Sequence, residues 1–354
     1  MARLNYPIGI QDFRKIREGS YLYIDKTELI HELLSRGSNY FITRPRCFGK
    51  SLLISTIKEI FRGSRDLFKD LWIEDKWDWD TKYLAVDLDF TQIDSNSVEL
   101  AQWIIQKLND SASEIEIHLK GETLKEQFED LLQKSIGKNK RVVLLIEGYD
   151  QPILDCLSNF PLAQKNKEIL RHFYAVVKHA DPYLGFLLVT GANKFSELNL
   201  MDISFCPAFH DLLGITQTEM ELTFADELND IALEMKLEKG VLLEQIKSWY
   251  GGYNWGGNKL LYHPYALLNF FQTGVFEQKW VKEGMKDDLV NLIQSEDHRR
   301  WDSQEFIASS TLFNFDIRHP NPTVLLFHAG YLTIAELNVP EGWCKFDYPN
   351  FSVM

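Results

Sequence analysis

No run of about 18 apolar residues occurs in the 354-residue chain, so nothing in it predicts a membrane-spanning helix. The opening Met1-Ala-Arg-Leu-Asn-Tyr-Pro7 lacks the apolar core of a secretory signal, and the expectation is a soluble, cytoplasmic protein with no membrane partner. Positive charge is in deficit: 38 Lys and Arg against 51 Asp and Glu leave a formal charge of −13. That argues against a nucleic-acid surface spread over the molecule, a local basic groove aside, and any anionic ligand must be held locally. Cysteine is sparse as well. Cys47, Cys156, Cys206 and Cys344 lie far apart, with no C-x-x-C pair and no metal-type spacing to the nine histidines, which reads as reduced thiols.

With 45% hydrophobic and 25% charged residues the chain can bury a large core and divides into about two domains. Ser38-Asn-Tyr-Phe-Ile-Thr-Arg-Pro-Arg-Cys-Phe-Gly-Lys-Ser-Leu-Leu-Ile-Ser55 reads as strand, tight loop and helix. A phosphate loop needs a strand to aim the turn, main-chain N–H groups around the phosphate oxygens, a lysine for the β- and γ-phosphates and a hydroxyl for Mg²⁺. Phe41-Ile-Thr43, Gly49, Lys50 and Ser51 supply these, and the helix has apolar residues at 52, 53, 54, 57, 60 and 61. The Walker A pattern G-x-x-x-x-G-K-[ST] fails at one position, where Arg44 stands for glycine. The alternative is an ordinary strand-to-helix turn with a surface lysine. Cys47 falls in the loop itself and would be accessible there.

Arg141-Val-Val-Leu-Leu-Ile-Glu-Gly-Tyr-Asp-Gln-Pro-Ile-Leu154 reads as a buried central strand, and such strands carry functional groups at their carboxyl ends. Where a Walker B strand has Asp for the magnesium shell and then Glu for the attacking water, this chain has Glu147 and Gly148. Glu147 can serve Mg²⁺, since a hard cation accepts any carboxylate oxygen, whereas Gly148 offers a water nothing. Asp150 could substitute, but its place before Pro152 makes a helix cap the first reading. A third strand, Leu184–Thr190, ends near Thr190, Asn193 and Lys194, candidates for a sensor of the γ-phosphate or for a plain turn. In the lead-in, Asp25 or Thr27 could cap the helix that follows, and Ile10 and Phe13 could pack on a base. Strand-like Tyr83–Phe90 and helical Leu100–Leu108 and Leu124–Ile136 complete an alternation that predicts a parallel sheet.

Gly9-Ile-Gln-Asp-Phe13, Tyr23-Ile-Asp-Lys-Thr27, Arg44-Pro-Arg-Cys-Phe-Gly-Lys-Ser-Leu52, Val142–Leu154, Thr190-Gly-Ala-Asn-Lys-Phe195, Trp249-Tyr-Gly-Gly-Tyr253, Tyr262-His-Pro-Tyr-Ala-Leu-Leu268 and Gly330-Tyr-Leu-Thr333 together resemble the AAA-ATPase-like family. Its members often carry a C-terminal nuclease-like domain of the PD-(D/E)XK superfamily. That family writes its loop R-P-R-R-F-G-K-S, so the resemblance accounts for Arg44. It continues its Walker B strand as D-E-Y-D-K-P, from which Glu147-Gly-Tyr-Asp-Gln-Pro152 departs at three of six positions. Glu-x-Lys triplets such as Glu74/Lys76 and Glu277/Lys279 sit in charged contexts, and the chain ends near where the nuclease-like domain would begin.

The resemblance implies an α/β fold: a P-loop NTPase parallel sheet (ASCE/AAA-like) with a strand between the P-loop and Walker B strands, then a mostly α-helical, winged-helix-like lid domain. The expected division is a lead-in at 1–37, the P-loop domain at 38–215 and the lid at 216–354. It also implies ATP and Mg²⁺ as cofactors. Arg44, Arg46, Phe48, Gly49, Lys50, Ser51 and Leu52 would hold the nucleotide, with Ile10 and Phe13 toward the base, and His263-Pro264 would sit near the nucleotide as G-x-P-type turns do, a lone His before Pro being otherwise structural. Ser51 and Glu147 would serve the metal, and Glu147, Asp150, Thr190 and Asn193 the chemistry. The aromatic stretch Trp249, Tyr250, Tyr253 and Trp255 reads as core rather than a stacking platform. The expected activity is an ATPase (nucleoside triphosphate hydrolase) weakened at Gly148. The alternatives are a non-catalytic, nucleotide-responsive interaction or scaffold module, and the ATPase part of a nucleic-acid-processing system acting through a partner. A protein partner or homo-oligomer is expected, with nucleic acid engaged only indirectly.

Overall fold

A computed structural model of the protein describes residues 5–94, 99–138, 140–157, 159–191, 200–256, 259–278, 306–308, 311–312, 321–338 and 340–353. The chain forms two compact units, one of Thr27–Thr43 with Ser51–Ile203, the other of Met1–Lys26, Arg44–Lys50 and Ser204–Met354.

The first unit is a parallel sheet built from β1 (Asn39–Ile42), β2 (Leu84–Asp89), β3 (Val142–Glu147), β4 (Leu184–Thr190) and β5 (Met201–Asp202), in the order β2-β3-β4-β1-β5. Parallel strands need crossover connections, and sequence of helical period supplies them. Helix α1 is Phe13–Glu18, in the other unit; here follow α2 (Thr27–Arg36), α3 (Lys50–Arg62), α4 (Leu100–Ser113), α5 (Leu124–Gly137), α6 (Gln151–Leu154) and α7 (Phe160–His179). Every residue of β3 is buried, which is why its sequence is an unbroken apolar run up to Glu147. The order places β4 between the loop-bearing β1 and β3, the inserted strand that the sequence predicts. Register then levels the carboxyl ends: Ile42 lies opposite Thr190, and Asp89 opposite Glu147.

Local chemistry accounts for the other carboxylates of β2. Asp87 pairs with Lys58 of α3 at 2.9 Å, and Asp89 accepts from the Thr91 N–H at 3.0 Å, capping the turn that follows. The Asp70–Asp80 connection buries Ile73, and its tryptophans pack on the unit's own rings, Trp77 on Phe61 at 5.7 Å and Trp79 on Phe68 at 4.9 Å. Thr27 opens α2, and its hydroxyl accepts from the Ile73 N–H at 3.2 Å.

In the second unit, α8 (Gln217–Thr223), α9 (Ala225–Met235), α10 (Lys239–Tyr250), α11 (Pro264–Thr273) and α12 (Pro322–Ala329) accompany an antiparallel sheet of β6 (Ile307–Ala308), β7 (Thr333–Asn338) and β8 (Trp343–Asp347), in the order β6-β8-β7. The core is rich in rings: Phe224 stacks on Phe271 at 3.9 Å, and Tyr250, Tyr253 and Trp255 are buried as expected of core residues. The N-terminal segment joins this core through Tyr6, 6.0 Å from Phe224. A capping box closes the start of α8, where Thr216 and Glu219 exchange hydrogen bonds with each other's main chain. Lys26 donates to Glu219 Oε1 at 2.6 Å and to the Asp211 carbonyl at 2.7 Å, which fixes the conformation of the Tyr23–Thr27 block. Burial lowers the pKa of that ammonium, against the pull of Glu219.

Candidate functional site

The loop between β1 and α3 is held by its own side chains. Arg44, almost fully buried, donates from Nη1 to the Ser204 carbonyl at 2.8 Å and stacks its guanidinium 4.4 Å from the centre of the Trp255 ring. Arg46 and Cys47 are exposed, and Phe48 is buried. Two left-handed residues make the turn tight, Cys47 at φ 57° and Gly49 at φ 100°. Glycine adopts that conformation without strain, while a cysteine there costs about 1 kcal/mol. Lys50 folds its ammonium back across the turn and donates to the carbonyls of Arg44 at 2.6 Å and Pro45 at 2.7 Å. The amine therefore sits over the loop's own backbone, bonded to neutral oxygens that a charged phosphate would outcompete.

Ser51 opens the other segment of the site. Its hydroxyl donates to Glu147 Oε1 at 2.5 Å, so the loop-end hydroxyl and the carboxylate at the tip of β3 meet at one point. Glu147 is almost fully buried, and Leu52 half-buried. A hydroxyl beside a carboxylate is a hard-oxygen pair, the donor set that suits Mg²⁺; that ion takes one or two protein oxygens and completes its shell with water and phosphate. Among the described residues no group of three His, Cys, Asp or Glu could hold a metal ion.

Beyond Glu147 the backbone turns at Gly148, φ 60°. A side chain there would begin 2.7 Å from Thr91 Cγ2, so the position is closed by backbone conformation and by space alike. Thr190, at the tip of β4, braces this turn: its hydroxyl accepts from Gly148 N–H at 3.4 Å and its carbonyl from Tyr149 N–H at 3.0 Å. Asp150 occupies the N-cap position of α6, but its side chain makes no cap bond. Its carboxylate lies instead against Gly191, 2.6 Å from where a Cβ would stand, which keeps that position free of a side chain. Asn193 and Lys194 lie outside the described residues.

Ile10 is half-buried, and Phe13 is fully buried, edge-on to Tyr23 at 5.1 Å. Pro264 is the first residue of α11 and His263 its N-cap, with Nδ1 accepting from Ala266 N–H at 3.3 Å. Burial drives the His263 pKa down to about 3, so the ring is neutral at physiological pH, as an accepting nitrogen requires. The sequence did not point to the tie of Arg44 to Trp255 or to the closeness of Thr91 to Gly148. The signal for the first was an arginine where a loop of this kind asks for glycine.

The family model described as predicted AAA-ATPase matches residues 7–201. An uncharacterised protein from the vnfD 5′ region of Azotobacter chroococcum mcd 1 is 33% identical over 366 residues, an alignment that takes in 100% of this chain and 69% of that protein. A loop that leads from a central parallel strand into a helix, a hydroxyl and a carboxylate joined at its end, and this match over more than half the sequence agree: the chain belongs to the predicted AAA-ATPase family.

Proposed function

We propose that the protein binds a nucleoside triphosphate, ATP in the first instance, together with Mg²⁺, and turns it over slowly. The observation that carries this reading is the Ser51–Glu147 hydrogen bond, which joins the two oxygen donors a magnesium ion would use. The amides from Gly49 to Leu52 would cradle the phosphates at the start of α3, where unpaired N–H groups and the helix dipole favour an anion. Lys50 would exchange its bonds to the Arg44 and Pro45 carbonyls for the β- and γ-phosphates. When bound, Mg²⁺ neutralises charge on the phosphate oxygens. Arg46, exposed beside the turn, is placed to add a second positive charge. In this reading the second unit, with its helices and small antiparallel sheet, is a winged-helix-like lid.

Slow turnover follows from Gly148. Phosphoryl transfer rests on positioning and charge, and a chain without a carboxylate to orient the water keeps its affinity while losing rate. The same glycine favours a second reading, a nucleotide-responsive interaction module that hydrolyses nothing. Calorimetric titration tests binding itself. Mg·ATP should bind the wild type, bind Lys50→Ala at least tenfold more weakly, and lose its magnesium dependence in Ser51→Ala. Equal affinity of wild type and Lys50→Ala would refute the phosphate-loop reading.

A further inference from the structure

Phe48 stands at the end of the turn away from Arg44 and is fully buried. Three rings of the second unit meet it edge-on, Trp255 at 5.0 Å, Tyr253 at 5.1 Å and His263 at 5.2 Å, with interplanar angles of 71°, 70° and 79°. Such T-shaped pairs set the positive edge of one ring against the negative face of another, so they fix direction as well as distance. The fourth wall is backbone. Gly214, at φ 89°, would place a Cβ 2.8 Å from Phe48 Cε1. Trp255 is engaged twice, since its face also carries the Arg44 guanidinium at 4.4 Å. One indole thus receives the two ends of the turn, and between those ends only Arg46 and Cys47 are exposed. The imidazole of His263 is itself fixed by the cap bond it accepts from Ala266 N–H at 3.3 Å.

We propose that this aromatic socket sets the conformation of the phosphate loop, with Phe48 and Trp255 as positioning residues that hold the turn open to an anion. On this proposal their side chains act through the backbone of the turn, so Phe48 would hold the nucleotide by its position in the loop and not by its ring. A loop that replaces the usual first glycine with arginine gives up backbone freedom at that point, and stacking on Trp255 gives the bulky side chain a defined place away from the phosphates. That the loop takes a phosphate rests on the function proposed above, whereas the setting of the loop by the socket does not. The two are therefore tested apart.

Cys47 is an exposed thiol at the apex of the turn, which makes its reaction rate with a maleimide, read on its own peptide by mass spectrometry, a direct measure of loop order. Phe48→Leu and Trp255→Leu should each raise that rate about tenfold, while Trp255→Phe, which keeps a ring face for Arg44, should stay within about threefold of wild type. Leu242→Ala, a truncation elsewhere in the same core, should lower the melting temperature and leave the rate unchanged. Should Phe48→Leu fail to fold, Phe48→Met keeps the volume without the ring and takes its place. Mg·ATP affinity, measured on the same set, should fall with the two socket variants and hold in Leu242→Ala. Unchanged labelling in the socket variants, or equal acceleration in Leu242→Ala, overturns the socket whatever the nucleotide does. Faster labelling in a protein whose wild type binds no nucleotide keeps the socket and removes the function proposed for the loop.

Discussion

Gly148 bears on stability as well as on the slow turnover proposed for the chain. At φ 60° it occupies the left-handed region, where an L side chain costs about 1–2 kcal/mol, and Thr91 Cγ2 stands 2.7 Å from the Cβ that a substitution would add. Restoring glutamate is therefore a strained change and not a simple repair. Gly148→Glu should lower the unfolding free energy by about 1–3 kcal/mol in urea titrations, and Thr91→Ser, which removes the crowding methyl, should return part of the loss. A Gly148→Glu protein as stable as wild type would show that the turn is not held where the structure places it. Single-turnover hydrolysis on the same pair then separates a binder lacking only its water-positioning group from a module with no catalytic geometry to restore.

Helix α11 illustrates how one element ties a titration to stability. Its N-cap is His263, whose Nδ1 must be unprotonated to accept from Ala266 N–H, and whose burial lowers the pKa from 6.5 to about 3. Between those values the unfolded chain takes up a proton that the folded chain refuses, so stability falls as pH drops through 6.5 and goes on falling to about 3. At pH 5 the loss relative to neutral pH is about 2 kcal/mol from this group alone. His328, lowered to about 4 by burial in the same unit, adds a loss of the same sign. His263→Asn retains an oxygen that can cap and does not titrate, so its stability should change less between pH 7 and pH 5 in urea unfolding. Equal losses in variant and wild type would remove His263 from the acid response. Elements of this kind also mark how far the sequence could be read. A strand, a loop and a helix show in local periodicity and in Gly49-Lys-Ser51, and the five-residue apolar run before Glu147 could only be a covered strand. The socket has no such signature, because Arg44 and Phe48 meet Trp255 only through the fold. No pattern in 249–263 says which side chain its rings enclose. Gly148 was legible as a glycine where the family writes glutamate, but its left-handed backbone was not.

For the whole molecule, ligand and stability are linked by mass action. A nucleotide that binds the folded chain and not the unfolded one stabilises it by about 2.7 kcal/mol at a concentration of 100 times its dissociation constant. With 354 residues arranged in two units, the shift is best read on each melting step separately, since a single two-state midpoint is not defined for such a chain. Mg·ATP should raise the midpoint of at least one step, chelation of magnesium should reduce the effect, and Lys50→Ala should show a smaller rise at the same nucleotide concentration. Time carries the remaining information. A competent ATPase would consume its ligand during incubation, and the stabilisation would relax to the level that ADP gives. If Gly148 stands at the water-positioning place, as proposed, the full shift should instead persist for hours and match a non-hydrolysable analogue throughout. Decay of the ATP effect within minutes would overturn the proposed slow turnover and point to another group, with Asp150 a candidate on the following turn, as the one that activates the water.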